Sequence, residues 1–347
     1  NEPPPNGSRL NAGLYGNTAE ASKSRTNSWL LALSYNDGGT LSVPSDRVYW
    51  NYGNIPTSAT VRIEFSGNSG TDWDIVATNI PVTQGYYVWA NTNYTSSRFA
   101  RWRVVLESDT NVWDANDTDF TFRNGPFIYY VNDTNTAGDV YTTAPGDDAN
   151  LGTTPGAPKL SLQSVVDTHD LEPGDIVYID TGEYDLNSSP TLTAVDAGDT
   201  NDFVYIIGST NEAAGGSVFN RQSSSSSAYG LYLNGAPYVR VENLTFRNGG
   251  SGIYVYNSDN VSLVNVRCRD NYYYGACVRN SSAVTLQRCA FYGNSRDGTR
   301  WEASAGGAME HCVIRVNDRS GVRVLSGWVS LSNSAVVAEG REAQCYY

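Results

Sequence analysis

Methionine occurs once in 347 residues and histidine twice, and charged side chains make up only 17% of the chain. Only His169 and His311 are present and no cysteine pair stands at CxxC spacing, which argues strongly against a zinc site. All five cysteines (Cys268, Cys277, Cys289, Cys312 and Cys345) lie in the last quarter. Five is odd, so at least one thiol is left over or pairs outside the chain. No apolar run approaches the roughly 20 residues of a membrane-spanning helix. Positive charge is also short: the formal net charge is -13 and the pI is near 4.6. No basic patch stands out to neutralise phosphates, which argues against a nucleic-acid partner. The chain shows no signal peptide, so it is expected to begin after processing or to be a segment of something longer.

What is abundant is tyrosine (24 residues), with Ser, Thr, Asn and Gly and few Lys or Glu. That balance is typical of extracellular β-proteins, so the expected location is outside the cell or on its surface. The length suggests two or three domains. Eight Asn-X-Ser/Thr sequons, at Asn6, Asn93, Asn116, Asn132, Asn187, Asn243, Asn260 and Asn280, permit glycosylation.

The stretch from Val239 to Val337 repeats itself. Apolar triplets stack as Leu244-Thr-Phe246, Val266-Arg-Cys268, Cys289-Ala-Phe291 and Cys312-Val-Ile314, at steps of 22, 23 and 23 residues. A second column runs Ile253-Tyr-Val255, Ala276-Cys-Val278, an imperfect Thr299-Arg-Trp301, and Val322-Arg-Val324. A third runs Val261-Ser-Leu263, Val284-Thr-Leu286, a weak Gly307-Ala-Met309, and Val329-Ser-Leu331. Each triplet alternates in-out-in, which is strand period. Three strands per row at this step predict a parallel β-helix solenoid, rather than an antiparallel sandwich with regular spacing. Asn248-Gly249-Gly250, Asn257 to Asn260, Asn271, Asn280, Asn294 and Asn317-Asp318 are expected at its corners, because Asn and Gly tolerate left-handed backbone. Cys289 and Cys312 share a column one coil apart. Their separation suits either a disulfide or a ladder of buried thiols.

Upstream, Val48-Tyr-Trp50, Thr60 to Phe65, Trp73 to Ala77, Tyr86 to Trp89, Arg101 to Leu106 and Phe120-Thr-Phe122 read as alternating strands between turns. About seven short strands in some 80 residues point to an immunoglobulin-like sandwich. Its tryptophans are expected in the core rather than as a sugar platform.

Glu172-Pro-Gly-Asp-Ile-Val-Tyr-Ile-Asp-Thr-Gly-Glu-Tyr184 resembles the first strand of the pectate-lyase-like superfamily of right-handed β-helix proteins. Before it, Leu160 to Asp167 reads as an amphipathic capping helix, apolar at Leu162, Val165 and Val166. The run Arg9-Leu-Asn-Ala-Gly-Leu-Tyr-Gly-Asn-Thr-Ala-Glu-Ala21 resembles that superfamily's closing segment, yet here it stands first. The expected division is therefore 1–40 as a closing segment, 41–125 as the sandwich and 126–347 as the parallel β-helix. The inversion suggests head-to-tail self-association, with Arg9, Leu10, Leu14 and Tyr15 completing a neighbouring solenoid and Cys345 pairing across the junction.

Chemistry is harder to find. Lyases of this superfamily use calcium held by carboxylates plus an Arg or Lys base, and hydrolysis needs two facing carboxylates. The outward acids of the regular coils do not share a column; Asp297, Arg300 and Glu302 form one candidate cluster, where the third coil departs from the repeat. Asp147, Asp148 and Asn150 are a weak calcium candidate, better read as turn caps. Tyr254, Tyr256, Tyr272, Tyr273 and Tyr274 are candidates for sugar stacking. No catalytic, metal or cofactor residue is assigned. The sequence points to an all-β extracellular structural or adhesive protein, one unit of a filament; the alternative is a carbohydrate-binding protein or a polysaccharide lyase or hydrolase.

Overall fold

A computed structural model describes residues 27–90 and 92–337. They form two units, dividing between Gly125 and Pro126.

In the second unit the 22–23-residue period becomes three parallel sheets. The first holds eight strands, from Ile128–Val131 to Gly327–Ser332; the second holds seven, from Gly182–Asp185 to Ala335–Val337; the third holds six, from Thr191–Leu192 to Ser320–Val324. Each strand pairs with its counterpart one coil away, so inward residues stack in columns. In the first sheet the column is Tyr129, Val177, Ile206, Val241, Leu263, Leu286, Met309 and Leu331. The second sheet stacks Tyr184, Phe219, Phe246, Cys268, Phe291, Ile314 and Val336. In the third the column is Leu192, Leu233, Val255, Val278, Trp301 and Val324. Up to the coil before the last, these three columns belong to one buried cluster that forms the core.

The two irregular rows are a single event. Trp301 is fully buried, and a Cβ placed on Gly307 would lie 2.5 Å from its ring. The oversized side chain in the third sheet fills the volume that the missing one leaves in the first. Thr299, in an inward position, accepts the Trp301 indole N–H at 3.2 Å.

Asn248, Asn257, Asn260 and Asn280 take the left-handed conformation foreseen for corners. Asn271, Asn294 and Asn317 also lie at corners, between consecutive strands, but without the left-handed backbone. They point inward as a ladder, in which Asn294 Oδ1 accepts from both the backbone N–H and the Nδ2 of Asn271, and Asn317 Oδ1 does the same for Asn294. A glycine column runs beside them. A Cβ on Gly275 would lie 2.5 Å from the Gly298 carbonyl oxygen, so the coils touch there backbone to backbone.

The helix Leu162–Thr168 covers the first coil with Leu162 and Val165, and Ser161 caps its N-terminus by accepting from the Ser164 N–H. Val166 is only partly buried.

The first unit is a two-sheet sandwich. Trp29–Ala32, Arg47–Gly53 and Tyr86–Val88 form one antiparallel sheet; Thr40–Ser42, Phe120–Arg123, Ser97–Leu106, Thr60–Ser66 and Asp74–Pro81 form the other, with Trp113–Ala115 on Ser97–Leu106. Trp50, Trp89 and Trp102 lie in the shared core, as expected of sandwich tryptophans. One boundary is corrected. Leu30 and Ala32 are buried in this core, so Trp29–Ala32 is a sandwich strand and not part of a closing segment that runs to residue 40. Arg9, Leu10, Leu14, Tyr15, Cys345 and the sequon at Asn6 lie outside the described residues.

Candidate binding face on the third sheet

Alternation sends every second residue of the third sheet outward, and register aligns these residues across coils. One outward column reads Tyr232, Tyr254, Cys277, Arg300, Arg323. Its neighbour reads Asn234, Tyr256, Arg279, Glu302. Four strand spacings separate the ends of the first column, roughly 19 Å.

The face has two halves. In the aromatic half Tyr229 stacks on Tyr254 with centroids 4.6 Å apart and planes at 17°. Tyr232 packs against both rings, and Tyr256 stands 6.3 Å from Tyr254. Burial pushes the Tyr229 hydroxyl up to about 12 and raises Tyr254 as well, so both are neutral donors at ordinary pH. In the cationic half Arg300 donates to the Tyr274 hydroxyl at 2.7 Å and to Glu302 at 3.3 Å, and Arg279 lies 3.8 Å from the same carboxylate. Arg296 covers the Tyr273 ring at 4.4 Å. A chain of net charge -13 therefore gathers arginines on one patch.

Asp297 lies beneath that half. It is fully buried, and neither carboxyl oxygen has a well-formed hydrogen bond; the Ser320 hydroxyl is its one weak donor among the described residues. Burial raises its pKa above the ordinary carboxylate value, against the opposing pull of Arg323, Ser320, Arg319 and Arg300. The folded state thus holds the proton more tightly than the unfolded chain, and stability falls as pH rises through the interval above the unfolded value. Asp297→Asn is expected to raise the melting temperature at neutral pH and to flatten the loss of stability expected in the parent as pH rises above the ordinary carboxylate value. An unchanged or steeper pH profile would show that Asp297 is ionised and paired in the fold.

The cluster of Asp297, Arg300 and Glu302 is thus brought to one face, but not as a hydrolytic pair. Asp297 and Glu302 stand at opposite ends of one strand. Five residues of strand put them about 17 Å apart, well beyond the roughly 5–10 Å that glycoside hydrolysis uses. A closer pair sits at the other end of the solenoid. Asn220 Nδ2 donates to Glu183 at 2.8 Å and to Asp185 at 2.9 Å, beside a cavity of about 430 Å³. Both carboxylates are held by internal donors, Glu183 also by Arg247 and Asp185 by Gln222.

The remaining candidates separate cleanly. Asp147 and Asp148 accept backbone N–H groups, and Asn150 donates to the Pro158 carbonyl, which is turn capping. Among the described residues no group of three or more His, Cys, Asp or Glu is placed to hold a metal. Cys289 and Cys312 are adjacent and buried but are free thiols, not a disulfide. Each donates to a carbonyl of the preceding coil, Leu263 and Leu286. Asn116 and Asn132 are buried, with their amides committed to Trp102, Tyr35, Asp139 and Ala144; a glycan cannot be accommodated on either in the folded chain. Asn93, Asn187 and Asn280 are exposed, and Asn243 and Asn260 half-buried. Trp73 and Trp113 do not join the sandwich core: they flank the Arg103 guanidinium, at 4.3 and 5.3 Å.

Of the five tyrosines proposed from sequence, Tyr254, Tyr256, Tyr273 and Tyr274 belong to the face. Tyr229 and Tyr232 were missed because they belong to the coil before the clear repeat. Arg323 was not singled out because its column begins with aromatics.

Residues 204–342 match the family described as the right handed beta helix region. Their stacked sheets agree. The solenoid is a right-handed parallel β-helix. Among solved structures the chain is similar to an alginate lyase from Paenibacillus sp. str. FPU-7, at 16% identity over 50% of this chain and 72% of that one, with a TM-score of 0.41. It is also similar to the catalytic domain of a GH87 alpha-1,3-glucanase variant in complex with tetrasaccharides, at 10% identity over 85% and 68%, with a TM-score of 0.29. No curated protein matches it. In the β-helix the candidate face is the outer surface of the third sheet over its last five coils.

Proposed function

We propose that the chain is an extracellular or cell-surface carbohydrate-binding protein whose third-sheet face holds an acidic polysaccharide. The observation that carries this reading is the column Tyr232, Tyr254, Cys277, Arg300, Arg323, in which stacking rings lead into guanidinium groups at strand spacing. Tyrosine rings offer flat apolar faces with a polar edge, and arginines meet carboxylate or sulfate groups in forked geometry. A regular polymer suits a regular face. An adhesive role follows from such binding, and the tyrosine-rich, lysine-poor composition supports the location.

Titration with a polyuronate and with a neutral glucan tests this. Arg300→Ala with Arg323→Ala is expected to weaken polyuronate binding about a hundredfold, equivalent to about 2.7 kcal/mol. Tyr232→Ala is expected to weaken it about tenfold. Equal affinity for the neutral glucan, or indifference to the arginine pair, would sink the reading. The alternative, a lyase or hydrolase, predicts falling viscosity of the polyuronate, and the distance between Asp297 and Glu302 weighs against hydrolysis. The structural reading, one unit of a head-to-tail filament, is favoured by a separate observation: among the described residues, nothing covers the last coil of the β-helix.

A further inference from the structure

The three inward columns all lose their cover at the same coil. In the first sheet Val241, Leu263, Leu286 and Met309 are fully buried, and the next residue in register, Leu331, is 40% exposed. Phe291 and Ile314 are fully buried in the second sheet, and Val336 above them only partly. Val278 and Trp301 are fully buried in the third, and Val324 only partly. Trp328, on the last strand of the first sheet, is 59% exposed and Leu325 44%. At this coil Ser320–Val324, Gly327–Ser332 and Ala335–Val337 are each the last strand of a sheet, with one edge unpaired among the described residues. The opposite end is closed by the helix Leu162–Thr168. An unpaired parallel edge above an apolar column is a template for one further coil.

We infer that the segment within residues 1–26 of a second copy of this chain docks on the last coil, adding strand edges and apolar residues to its three columns. The size fits: residues 1–26 precede the described chain, and one coil takes 22–23 residues. The pattern fits as well, since Leu10, Leu14 and Tyr15 supply apolar side chains among Gly and Asn suited to corners. One donor segment and one acceptor end per chain make a heterologous contact, which does not close on itself and extends as a fibre. This contact deepens the structural reading above and is independent of the polysaccharide face.

Sedimentation velocity on the full chain, with variants at each side of the contact, tests it. The parent is expected to give species that lengthen with concentration. Leu14→Asp, with an intact end, and Leu331→Asp, with an intact segment, are each expected to remain monomeric. Mixed together they should form a one-to-one complex that grows no further. Leu10→Asp and Trp328→Glu repeat the design at neighbouring positions, and thermal melts of each variant report folding separately from assembly. A parent that stays monomeric at every concentration, with no complex on mixing, would overturn the inference; that result also covers closure of the last coil by the same chain, including by residues 338–347. Assembly that ignores all four substitutions would overturn it too. Loss of polyuronate binding with assembly intact, or the reverse, tells the failure of one reading from the failure of the other.

Discussion

Trp301→Ala is expected to lower the stability of the β-helix by about 3–5 kcal/mol, measured by denaturant unfolding. The indole is fully buried in the third-sheet column, between Val278 and Val324 in register, and its N–H is used by Thr299. Truncation removes the contacts and leaves a cavity that the neighbouring coils cannot close, because their backbones are tied to one another on both sides. Gly307→Val is expected to be harmful for the opposite reason: its Cβ would meet the Trp301 ring at 2.5 Å. Overpacking of this kind costs about 1–3 kcal/mol. The two substitutions occupy one volume, so the double variant should be more stable than the sum of the single effects requires. Strict additivity would show that the two irregular rows are unrelated.

Asn294→Ala is the second substitution with a large expected effect. Asn294 is fully buried, and its Oδ1 accepts from Asn271 at 3.2 Å (backbone N–H) and 2.9 Å (Nδ2). Its Nδ2 donates to the Cys268 carbonyl at 3.2 Å and to Asn317 Oδ1 at 2.9 Å. Alanine leaves the Asn271 backbone N–H without an acceptor inside the core and interrupts the ladder for the coils on each side. Each buried group left unmade costs about 1–3 kcal/mol, so a loss of roughly 3–4 kcal/mol is expected, with Asn294→Asp no better than alanine. Hydrogen exchange should show the loss spreading to neighbouring coils, since each coil is held only by those beside it. A change confined to the side chain's own turn would argue against a continuous ladder.

The solenoid was legible because its physics is periodic. Leu263, Leu286 and Leu331 recur at one step because they stack, and even the weak Gly307-Ala-Met309 triplet falls into register. The exchange of volume between Trp301 and Gly307 could not be read, since it links two sheets that the sequence presents as two separate irregularities. The inward asparagines do lie at corners, but their ladder could not be read, because residue type alone does not say whether an Asn in a turn takes left-handed backbone or satisfies a buried backbone. Trp29–Ala32 was lost from the sandwich because the resemblance of the residues before it drew the boundary too late. The binding face was half visible. Arg300 and Glu302 stood out where the repeat broke, but alignment of Arg300 with Arg323, Tyr254 and Tyr232 depends on four registers across five coils. Asp297 gave no sign of its burial, because what covers it comes from the coils on either side.

The β-helix also has a mechanical character, which follows from its parallel ladders. Backbone hydrogen bonds between coils lie along the stacking axis, so tension on that axis loads the bonds of one coil boundary at a time. Each boundary that yields releases 22–23 residues of chain, roughly 75–80 Å when drawn out. Force on such a rod would be met by a series of small, separate extensions rather than by one rupture, and each slackened coil would still have its neighbour as a template on which to rewind.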